Sequence, residues 1–371
     1  MIDERIVKII IKEDKKFKKN NRYRTPKYSP GDHYKHLCDN NYYHALIVFR
    51  HFIKVVSDFY FSEKQEAKNI DLFMFTSSIS SPMGPGSDSE PVSAMLGKLK
   101  TFLTDSSQFG FEPLLLNGFN KVYCYLPSIR GEDCDSRHLN QFFHCEMEMR
   151  GKINDLFPVI EGYVKALAEA VLLMDNIIER ISENSDKTRQ HLKEILQAKI
   201  LPKITFDEAV GLLAKKGKKS LVNFTDHGND ISCEGEIELT KILKVKTPVW
   251  ITDFDRDRVP FYQKPNPNNH EKTINADLLF PPIIKGAFGG EIIGAGQRQD
   301  SVNEIYESLK RQKNLSAEPY EWYIDLRSHP NYKTTSGFGF GVERFIAWAL
   351  GKENIRDVIL YPRIKNIKTF P

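Results

Sequence analysis

The sequence has few cysteines and no long hydrophobic run. Its five cysteines are scattered over 371 residues without a CxxC pair, which argues against a disulfide framework and predicts free thiols in a reducing compartment. The apolar stretches are far shorter than the roughly 20 residues of a membrane-spanning helix, so no span is expected. The N-terminus also lacks the apolar region of a secretion signal. A cytoplasmic location is therefore predicted.

Charge is unevenly distributed along the chain. The formal net charge is +4, yet residues 1–40 alone hold 11 Lys/Arg against 6 Asp/Glu. We interpret residues 1–40 as a basic N-terminal extension, which either contacts a phosphate backbone or is a solvated terminus. With 40% hydrophobic residues, the chain has enough apolar side chains for a large core, which we expect in residues 41–371.

Hydrophobic periodicity predicts an α+β fold, an antiparallel β-sheet flanked by helices. The charged second half of one helical stretch indicates a solvent-facing helical insertion at about 175–200, and the Ser-, Gly- and Pro-rich stretch 77–92 is predicted to be a loop. Two neighbouring strands, 121–127 and 137–149, should form an antiparallel hairpin. The full set of predicted helices is 43–64, 157–196, 204–214, 234–243 and 342–350, and the other predicted strands are 71–76, 249–254, 274–280, 291–295 and 320–326.

The segment 128–149, SIRGEDCDSRHLNQFFHCEMEM, mixes polar groups on a predicted strand. Arg130 and Glu132 are two apart on the preceding strand, where a guanidinium suits a phosphate and a carboxylate can accept from an exocyclic amine. Burying the polar face of the second strand is costly unless a ligand pairs with it, so we predict a site floor. That face holds His138, Asn140, Phe142, His144, Glu146 and Glu148, and the opposite face is apolar.

Two further segments carry candidate site residues. In GFGFGVERF, residues 337–345, alternating glycines clear one side of a strand for a flat group, and Arg344 follows in the first helical turn, where it can cover an adenine ring and reach phosphates. Glu291 and Asp277 are candidate Mg²⁺ ligands, because magnesium prefers one or two carboxylates plus substrate oxygens. Arg298 is a candidate for binding the substrate. Strict alternation places it opposite Glu291, so this role requires a bulge at Gly294 or Gly296.

Three blocks of the sequence resemble, in this order, motif 2, the metal-binding strand and motif 3 of the class II aminoacyl-tRNA synthetases, and the resemblance is closest to their asparaginyl/aspartyl branch. The blocks are IRGE with RHLNQF, then GGEIIGAGQRQ, then GFGFGVERF. SSQFGFE, WYIDLR and NIRDVILYPR add to a likeness that covers about residues 44–371. The resemblance implies a synthetase-type catalytic domain at 41–371 that uses ATP and Mg²⁺ to adenylate an amino acid. It also implies a homodimer, because the family's equivalent of the first predicted helix builds a two-fold interface.

The resemblance implies roles for individual residues. Arg130 would neutralise the α-phosphate, His138 and Arg344 would hold the γ-phosphate end, and adenine would lie between Phe142 and Arg344. Arg130, Arg344 and Glu291 form the implied catalytic set, since positioning and charge neutralisation supply the catalysis. The implied ATP-binding set is Arg130, Glu132, Arg137, His138, Phe142, Glu291 and Arg344; the amino-acid-binding set is Gln108, Glu146, Arg298 and Glu90; and the metal ligands are Glu291 and Asp277.

Two positions favour asparagine over aspartate. Aspartate-specific relatives carry a Lys three residues after the glutamine of the SxQ segment, whereas here Phe111 follows Gln108. Aspartate enzymes usually carry Asp where this chain has Glu146, which can accept from a side-chain amide. Glu146 with Arg298 predicts a net-neutral pocket in which a second carboxylate would be repelled.

Three functions remain open at this point. Only about forty residues precede the first predicted helix, so we expect no N-terminal anticodon-binding β-barrel, which weighs against tRNA as the acceptor. The first function is activation of asparagine and its transfer to a tRNA or a non-tRNA acceptor. The second is an asparagine synthetase that adenylates aspartate for attack by ammonia. The third is an inactive paralogue that senses amino acids or ATP.

Overall fold

A computed structural model describes residues 2–18, 21–82, 89–312 and 315–370, so the predicted loop 77–92 lies partly outside the described residues. The strands are β1 Lys68–Asn69, β2 Phe75–Thr76, β3 Ser93–Leu96, β4 Leu99–Leu103, β5 Lys121–Ile129, β6 Gln141–Arg150, β7 Lys203–Thr205, β8 Val222–Thr225, β9 Gly228–Ile231, β10 Val249–Thr252, β11 Pro265–Asn266, β12 Asn269–Thr273, β13 Asn275–Phe280, β14 Gly290–Gln297 and β15 Thr335–Gly341.

The largest sheet has eight strands in the order β1-β5-β6-β15-β14-β13-β10-β7. Its two end pairs, β1 with β5 and β10 with β7, are parallel. The five pairs between them are antiparallel. The predicted α+β fold, an antiparallel sheet flanked by helices, is therefore confirmed.

Helices cover one face of this sheet through the main core, and two more, Phe206–Lys215 and Cys233–Ile242, pack on the other face beside β10. Phe338 and Phe340 of β15 are fully buried in the main core, where Tyr163 lies 5.1 Å from the Phe340 ring, and the glycines between them face the other side. None of the helices in the described ranges has the length and apolar character that crossing a membrane requires. They are α1 Glu4–Asp14, α2 His33–Asp39, α3 Asn41–Phe59, α4 Glu112–Leu116, α5 Ile153–Leu173, α6 Asp175–Ile181, α7 Ser185–Gln197, α8 Phe206–Lys215, α9 Cys233–Ile242, α10 Val302–Arg311, α11 Glu321–Asp325 and α12 Val342–Ala349.

The predicted hairpin is present, but its strands are placed differently. β5 ends at Ile129 and β6 begins at Gln141. Arg130 closes the intervening loop by donating its backbone N–H to the Asn140 carbonyl oxygen at 3.0 Å. The prediction that Glu132 and His138 lie on strands is therefore wrong, because both belong to this loop.

One predicted strand is wrong altogether. Residues 320–326 are helical, with α11 between two short 3₁₀ turns. Tyr320, Tyr323 and Ile324 are buried while Trp322 is exposed, a spacing of three and four residues that fits a helix rather than the period of two in a strand. The predicted strand 71–76 is also reduced, since only Phe75–Thr76 pairs in a sheet.

The basic extension and the charged helical segment both pack against the main core. Ile10 of α1 and Ile178 of α6 are fully buried there, and so is Leu192 of α7. The remaining surface of α7 faces solvent, so the solvent-facing prediction for 175–200 describes only one side of that helix. Apolar residues at helical spacing explain the buried side.

Asp14 joins these two segments and gives a test of their packing. Its carboxylate accepts from the backbone N–H groups of Asn176 and Ile177 at 3.1 and 2.9 Å, and from the Asn176 amide at 2.6 Å. It therefore caps the N-terminus of α6 from a distant part of the chain.

We expect Asp14→Ala to destabilise the protein by about 1–2 kcal/mol, because buried α6 N–H groups lose their acceptor. Thermal unfolding followed by circular dichroism measures the change. Glu13→Ala is the matched control: Glu13 pairs with Lys16 on the surface, so its loss should cost about 0.5 kcal/mol or less. Equal effects of the two substitutions would contradict the capping role.

Candidate active site

The open face of the large sheet carries two rows of paired glycines. Antiparallel register places a glycine of β14 opposite a glycine of β15 in each row, with a carboxylate or amide residue on either side. These positions share a face because alternate residues of each strand point the same way. The first row is Glu148–Gly337–Gly296–Asn275, and the second is Glu146–Gly339–Gly294–Asp277.

The two rows differ in what lies above the glycines. In the first row, a Cβ added at Gly337 would overlap the Glu148 carboxylate, and one added at Gly296 would overlap the Gln263 amide. In the second row, the nearest atoms to a Cβ at Gly339 or Gly294 lie 3.4 Å away. The first row is therefore a closed end filled by side chains, and the second is an open floor.

A β-bulge brings Glu291 onto this floor. The register between β13 and β14 shifts so that Leu278 opposes Ile293 and Leu279 opposes Glu291, leaving Ile292 as the extra residue. A bulge was predicted at Gly294 or Gly296; that location is wrong, because the extra residue is Ile292. The bulge has the predicted effect, since one extra residue reverses the alternation and puts Glu291 on the face of Gly294 and Arg298.

A cavity of about 940 Å³ lies over the open floor. Arg298 is the one predicted residue that does not line it; this arginine is 1% exposed and lies behind Gln108, to which it donates at 2.7 Å. The predicted residues that line the cavity are Glu90, Gln108, Arg130, Glu132, Arg137, His138, Phe142, Glu146, Asp277, Glu291 and Arg344.

Four arginines of the described residues line the cavity, and one of them, Arg258, is paired with Asp230. Arg344 donates to the Glu291 carboxylate at 2.7 Å, Arg137 to the Gly289 carbonyl oxygen, and the Arg130 guanidinium lies 5.4 Å from the centre of the Phe142 ring. The Nε atoms of Arg130 and Arg137 are buried without a hydrogen-bond partner among the described residues. Buried unpaired guanidinium donors beside a cavity are suited to an anionic ligand.

Carboxylates face the arginines across the floor. Burial, together with the charges of Glu291 and Glu236, raises the pKa of Asp277 well above its usual range. Burial also acts to raise the pKa of Glu291, but the charges of Arg344, Arg137 and Arg130 together outweigh it and lower that pKa. The oxygens of Asp277 and Glu291 both lie 3.4 Å from one point above Gly294, so the two carboxylates are close together and their pKa values are shifted in opposite directions.

The closed end holds a buried ion pair. Arg298 donates twice to Glu148, from Nε at 3.0 Å and from Nη2 at 2.7 Å. Burial raises the pKa of Glu148 to about 7, although Arg298 opposes the shift. The predicted net-neutral pocket balanced the charge of Arg298 with that of Glu146; this is wrong, because the ion-pair partner of Arg298 is Glu148. Strand alternation already placed Glu148 on the site face, but only the sheet register identifies its partner.

Glu146 is held by the segment that follows β4. Its carboxylate accepts from Ser106 Oγ at 2.7 Å and from the Ser107 backbone N–H at 2.6 Å. Burial raises the pKa of Glu146. Phe111, used above as a pocket position, is fully buried in a separate apolar cluster with Leu115; it does not line the cavity, and position 111 supplies no positive charge there.

The remaining predicted residues lie at the rim. The His138 ring nitrogen is 2.9 Å from the Asp135 carboxylate, and Glu132 accepts from the Glu90 backbone N–H at 3.2 Å. The Glu90 side chain is 62% exposed and pairs with Lys365 at 3.3 Å. These loop groups are placed to meet the outer part of a ligand. Gln263 and Tyr262, which also line the cavity, were missed because they lie outside every recognisable motif.

The two glycine rows predict opposite responses to the same substitution. Gly337→Ala places a Cβ on the Glu148 carboxylate and 2.7 Å from the Met147 carbonyl oxygen, so it should cost about 1–3 kcal/mol of stability. Gly294→Ala meets its neighbours at ordinary contact distance and should leave the melting temperature nearly unchanged. Differential scanning fluorimetry compares the two variants, and a large loss with Gly294→Ala would contradict an open floor.

Comparison with known proteins gives a consistent picture. The family "tRNA synthetases class II (D, K and N)" matches residues 33–365. The chain is similar to the asparagine–tRNA ligase of Mycoplasma genitalium, with 31% identity over 73% of this chain. It is also similar to that of Pyrococcus abyssi, with 32% identity over 73% of this chain. The chain spans 59% of the length of each of these two relatives.

Solved structures share the fold. Asparaginyl-tRNA synthetase from Pyrococcus horikoshii, complexed with asparaginyl-adenylate, superimposes with a TM-score of 0.80 at 24% identity, covering 94% of this chain and 76% of that one. The Entamoeba histolytica enzyme in complex with the same adenylate gives a TM-score of 0.74 at 23% identity, covering 94% of this chain and 74% of that one.

Proposed function

The chain belongs to the class II tRNA synthetases of the D, K and N type, and from this premise we propose that it forms an aminoacyl-adenylate from ATP and an amino acid and releases pyrophosphate. The observation that carries the proposal is the set of arginines around one cavity, two of which have buried N–H groups without a partner among the described residues. A triphosphate supplies the oxygens that such donors lack. Class II synthetases use ATP, and the arginines of the cavity carry the positive charge that matches its phosphates.

The reaction needs no nucleophile or base from the protein. A carboxylate oxygen of the amino acid bonds to the α-phosphorus, and the oxygen bridging the α- and β-phosphates leaves with pyrophosphate. Arg130 neutralises the α-phosphate, while Arg344 and His138 hold the far end of the triphosphate. The base lies between Phe142 and Arg344. Catalysis then comes from positioning and from charge stabilisation.

The floor suits a magnesium ion. Glu291 and Asp277 present oxygens around one point above Gly294, and burial together with the charges of Glu291 and Glu236 raises the pKa of Asp277, which supports a cation at this point. Two carboxylates plus phosphate oxygens match the ligand preference of Mg²⁺. Bound there, the ion would neutralise charge on the triphosphate; Glu291 and Asp277 would hold it.

We propose asparagine as the amino acid. The Glu148–Arg298 pair lies at the closed end, and the Glu146 carboxylate lies in the neighbouring row on the open floor. An aspartate side chain would add a third carboxylate at short range, whereas an amide is neutral and can both donate and accept. Relatives with 31–32% identity are named asparagine–tRNA ligases, which supports the same choice over an asparagine synthetase that adenylates aspartate.

We propose tRNA as the acceptor of the activated asparagine. The names of the relatives support this acceptor, which the sequence analysis had left open beside non-tRNA acceptors. An inactive sensor is disfavoured because the arginines and carboxylates of the site are all present and oriented towards one cavity. A cytoplasmic location is supported by five free cysteines and by a relative named as a cytoplasmic asparagine–tRNA ligase of Arabidopsis thaliana.

Asparagine-dependent exchange of labelled pyrophosphate into ATP tests the activation step. We expect exchange with asparagine and not with aspartate, its abolition by EDTA with recovery on adding Mg²⁺, and about a 100-fold or larger loss in Arg130→Ala. Arg22→Ala, which removes an exposed arginine paired with Glu183, should retain full exchange.

Each contrary result has a distinct meaning. Exchange with aspartate alone would favour the ammonia-dependent synthetase, and absence of exchange with every amino acid would favour the sensor. Exchange with asparagine but no labelled aminoacyl-tRNA on adding total tRNA would leave adenylation standing and contradict tRNA as the acceptor.

We also propose a homodimer. An apolar patch consisting of Phe75, Met95, Leu96 and Leu99, on the small sheet β2-β4-β3, is 47–65% exposed. Exposed apolar side chains grouped on one small sheet are typical of an interface with another protein surface, and closed two-fold pairing is the commonest arrangement.

Light scattering during size-exclusion chromatography measures the oligomeric state. We expect a dimer for the unmodified protein and a monomer for the double variant Leu96→Asp/Leu99→Asp, because two charges in an apolar interface are costly to bury. Ile200→Asp replaces another exposed apolar side chain, 82% accessible, and should leave the dimer intact. A monomeric unmodified protein would contradict the proposal.

A further inference from the structure

Glu236, in the first turn of α9, connects two separate parts of the candidate active site. Its Oε2 atom accepts from the backbone N–H of Glu291 at 3.0 Å and lies 3.6 Å from Nη2 of Arg137. Glu291 lies on β14, whereas Arg137 lies in the loop between β5 and β6. One carboxylate oxygen from a third element therefore contacts both a proposed magnesium ligand and a predicted ATP contact.

The backbone of β14 leaves room for this carboxylate. Gly290, directly before Glu291, has a φ of +86°, in the left-handed region that favours glycine. A Cβ added at Gly290 would overlap Oε2 of Glu236 and would lie 3.1 Å from the Arg137 guanidinium. Both the backbone conformation and the missing side chain are thus needed for Glu236 to reach its two partners.

The contact lies directly beside the bulge that turns Glu291 onto the floor. Ile292 is the extra residue of β14, so the backbone next to it departs from regular strand pairing. The hydrogen bond from Glu291 to Glu236 holds this irregular backbone from a helix outside the sheet. Because the direction of a side chain follows that of its backbone, the same bond fixes where the Glu291 carboxylate points.

The Arg137 guanidinium is fixed on three sides. Besides its contact with Glu236, it donates to the Gly289 carbonyl oxygen and lies 4.5 Å from the centre of the Phe288 ring. Its Nε atom is buried without a hydrogen-bond partner among the described residues. Glu236 therefore restrains the guanidinium and leaves a donor available to a ligand.

We propose that Glu236 is a positioning residue for adenylate formation, which holds Glu291 and Arg137 in the arrangement that binds ATP. Glu236 borders the cavity, but its Oε2 atom is engaged by these two neighbours, so it acts through them. This inference rests on the proposed function and adds to it the group that joins β14 to the loop after β5. Residues that orient a metal ligand typically contribute about 10- to 100-fold to affinity or activity.

Pyrophosphate exchange with Glu236→Ala tests the role, and Glu234→Ala is the matched control. Glu234 is exposed and lies in the same helical turn, so both substitutions remove one carboxylate from the N-terminus of α9 and change the helix-dipole interaction alike. We expect Glu236→Ala to raise KM for ATP about 10-fold or more and to leave KM for asparagine unchanged. Glu234→Ala should match the unmodified protein in both.

Calorimetric titration with α,β-methylene-ATP measures binding without reaction, because the bond that adenylate formation breaks is replaced in this analogue. With Mg²⁺ present, we expect its Kd to be about 10-fold or more higher for Glu236→Ala than for Glu234→Ala. Glu236→Gln keeps an acceptor oxygen at the same side-chain length and should recover most of the affinity. Melting temperatures identify the folded variants. If Glu236→Ala does not fold, Glu236→Asp, which withdraws the carboxylate from the Glu291 N–H, carries the same prediction.

The outcomes separate this inference from the proposed function. If the unmodified protein exchanges with asparagine and a folded Glu236→Ala or Glu236→Asp keeps its KM for ATP and its Kd for the analogue, the role of Glu236 is overturned and the proposed function stands. A lower melting temperature with both constants unchanged would show a purely structural role and overturn it as well. If the unmodified protein exchanges with no amino acid, the proposed function fails and the inference fails with it.

Discussion

The register between β14 and β15 is the constraint on which the rest of the site depends. It sets Gly294 against Gly339 and Gly296 against Gly337, so that the middle of an eight-stranded sheet has no side chains on one face. On the other face the intervening residues, such as Phe338 and Phe340, are fully buried in the main core. A slip of one residue would turn the phenylalanines into the cavity and the glycines into the core, and both core and site would be lost together.

Buried charge explains why the open face is a site rather than a second core. A guanidinium and several carboxylates are removed from water around the floor, and such groups contribute little net stability unless every hydrogen bond is made. In this site several hydrogen bonds are not made. Donors of Arg130, Arg137 and Arg298 and the acceptor of Gln263 remain unpaired among the described residues. The closed end and the floor are thus polar surfaces preorganised for a ligand, with the cost of their burial offset by the packing of the opposite face.

Much of the fold and of the candidate site could be predicted from the local sequence pattern. Alternation along residues 141–150 correctly placed Phe142, Glu146 and Glu148 on one face, because side-chain direction within a strand repeats every two residues whatever the tertiary context. The glycine pattern before α12 likewise predicted the cleared strand. The local pattern gave a wrong prediction at 320–326, where the aromatic residues fit both the helical and the strand period. It was also wrong for Glu132 and His138, because the end of a strand depends on where its partner stops pairing.

The sequence by itself determined the α+β fold, the family and eleven of the residues that line the cavity, since these follow from short-range periodicity and from motifs in a recognisable order. Only the tertiary structure decided which residues contact each other in the site. Arg298 bonds to Glu148, 150 positions away, Ile292 rather than a glycine forms the bulge, and Gln263 lies opposite Arg298. Each of these depends on the register between strands that are distant in sequence, and register is set by the packing of the whole sheet rather than by any local pattern.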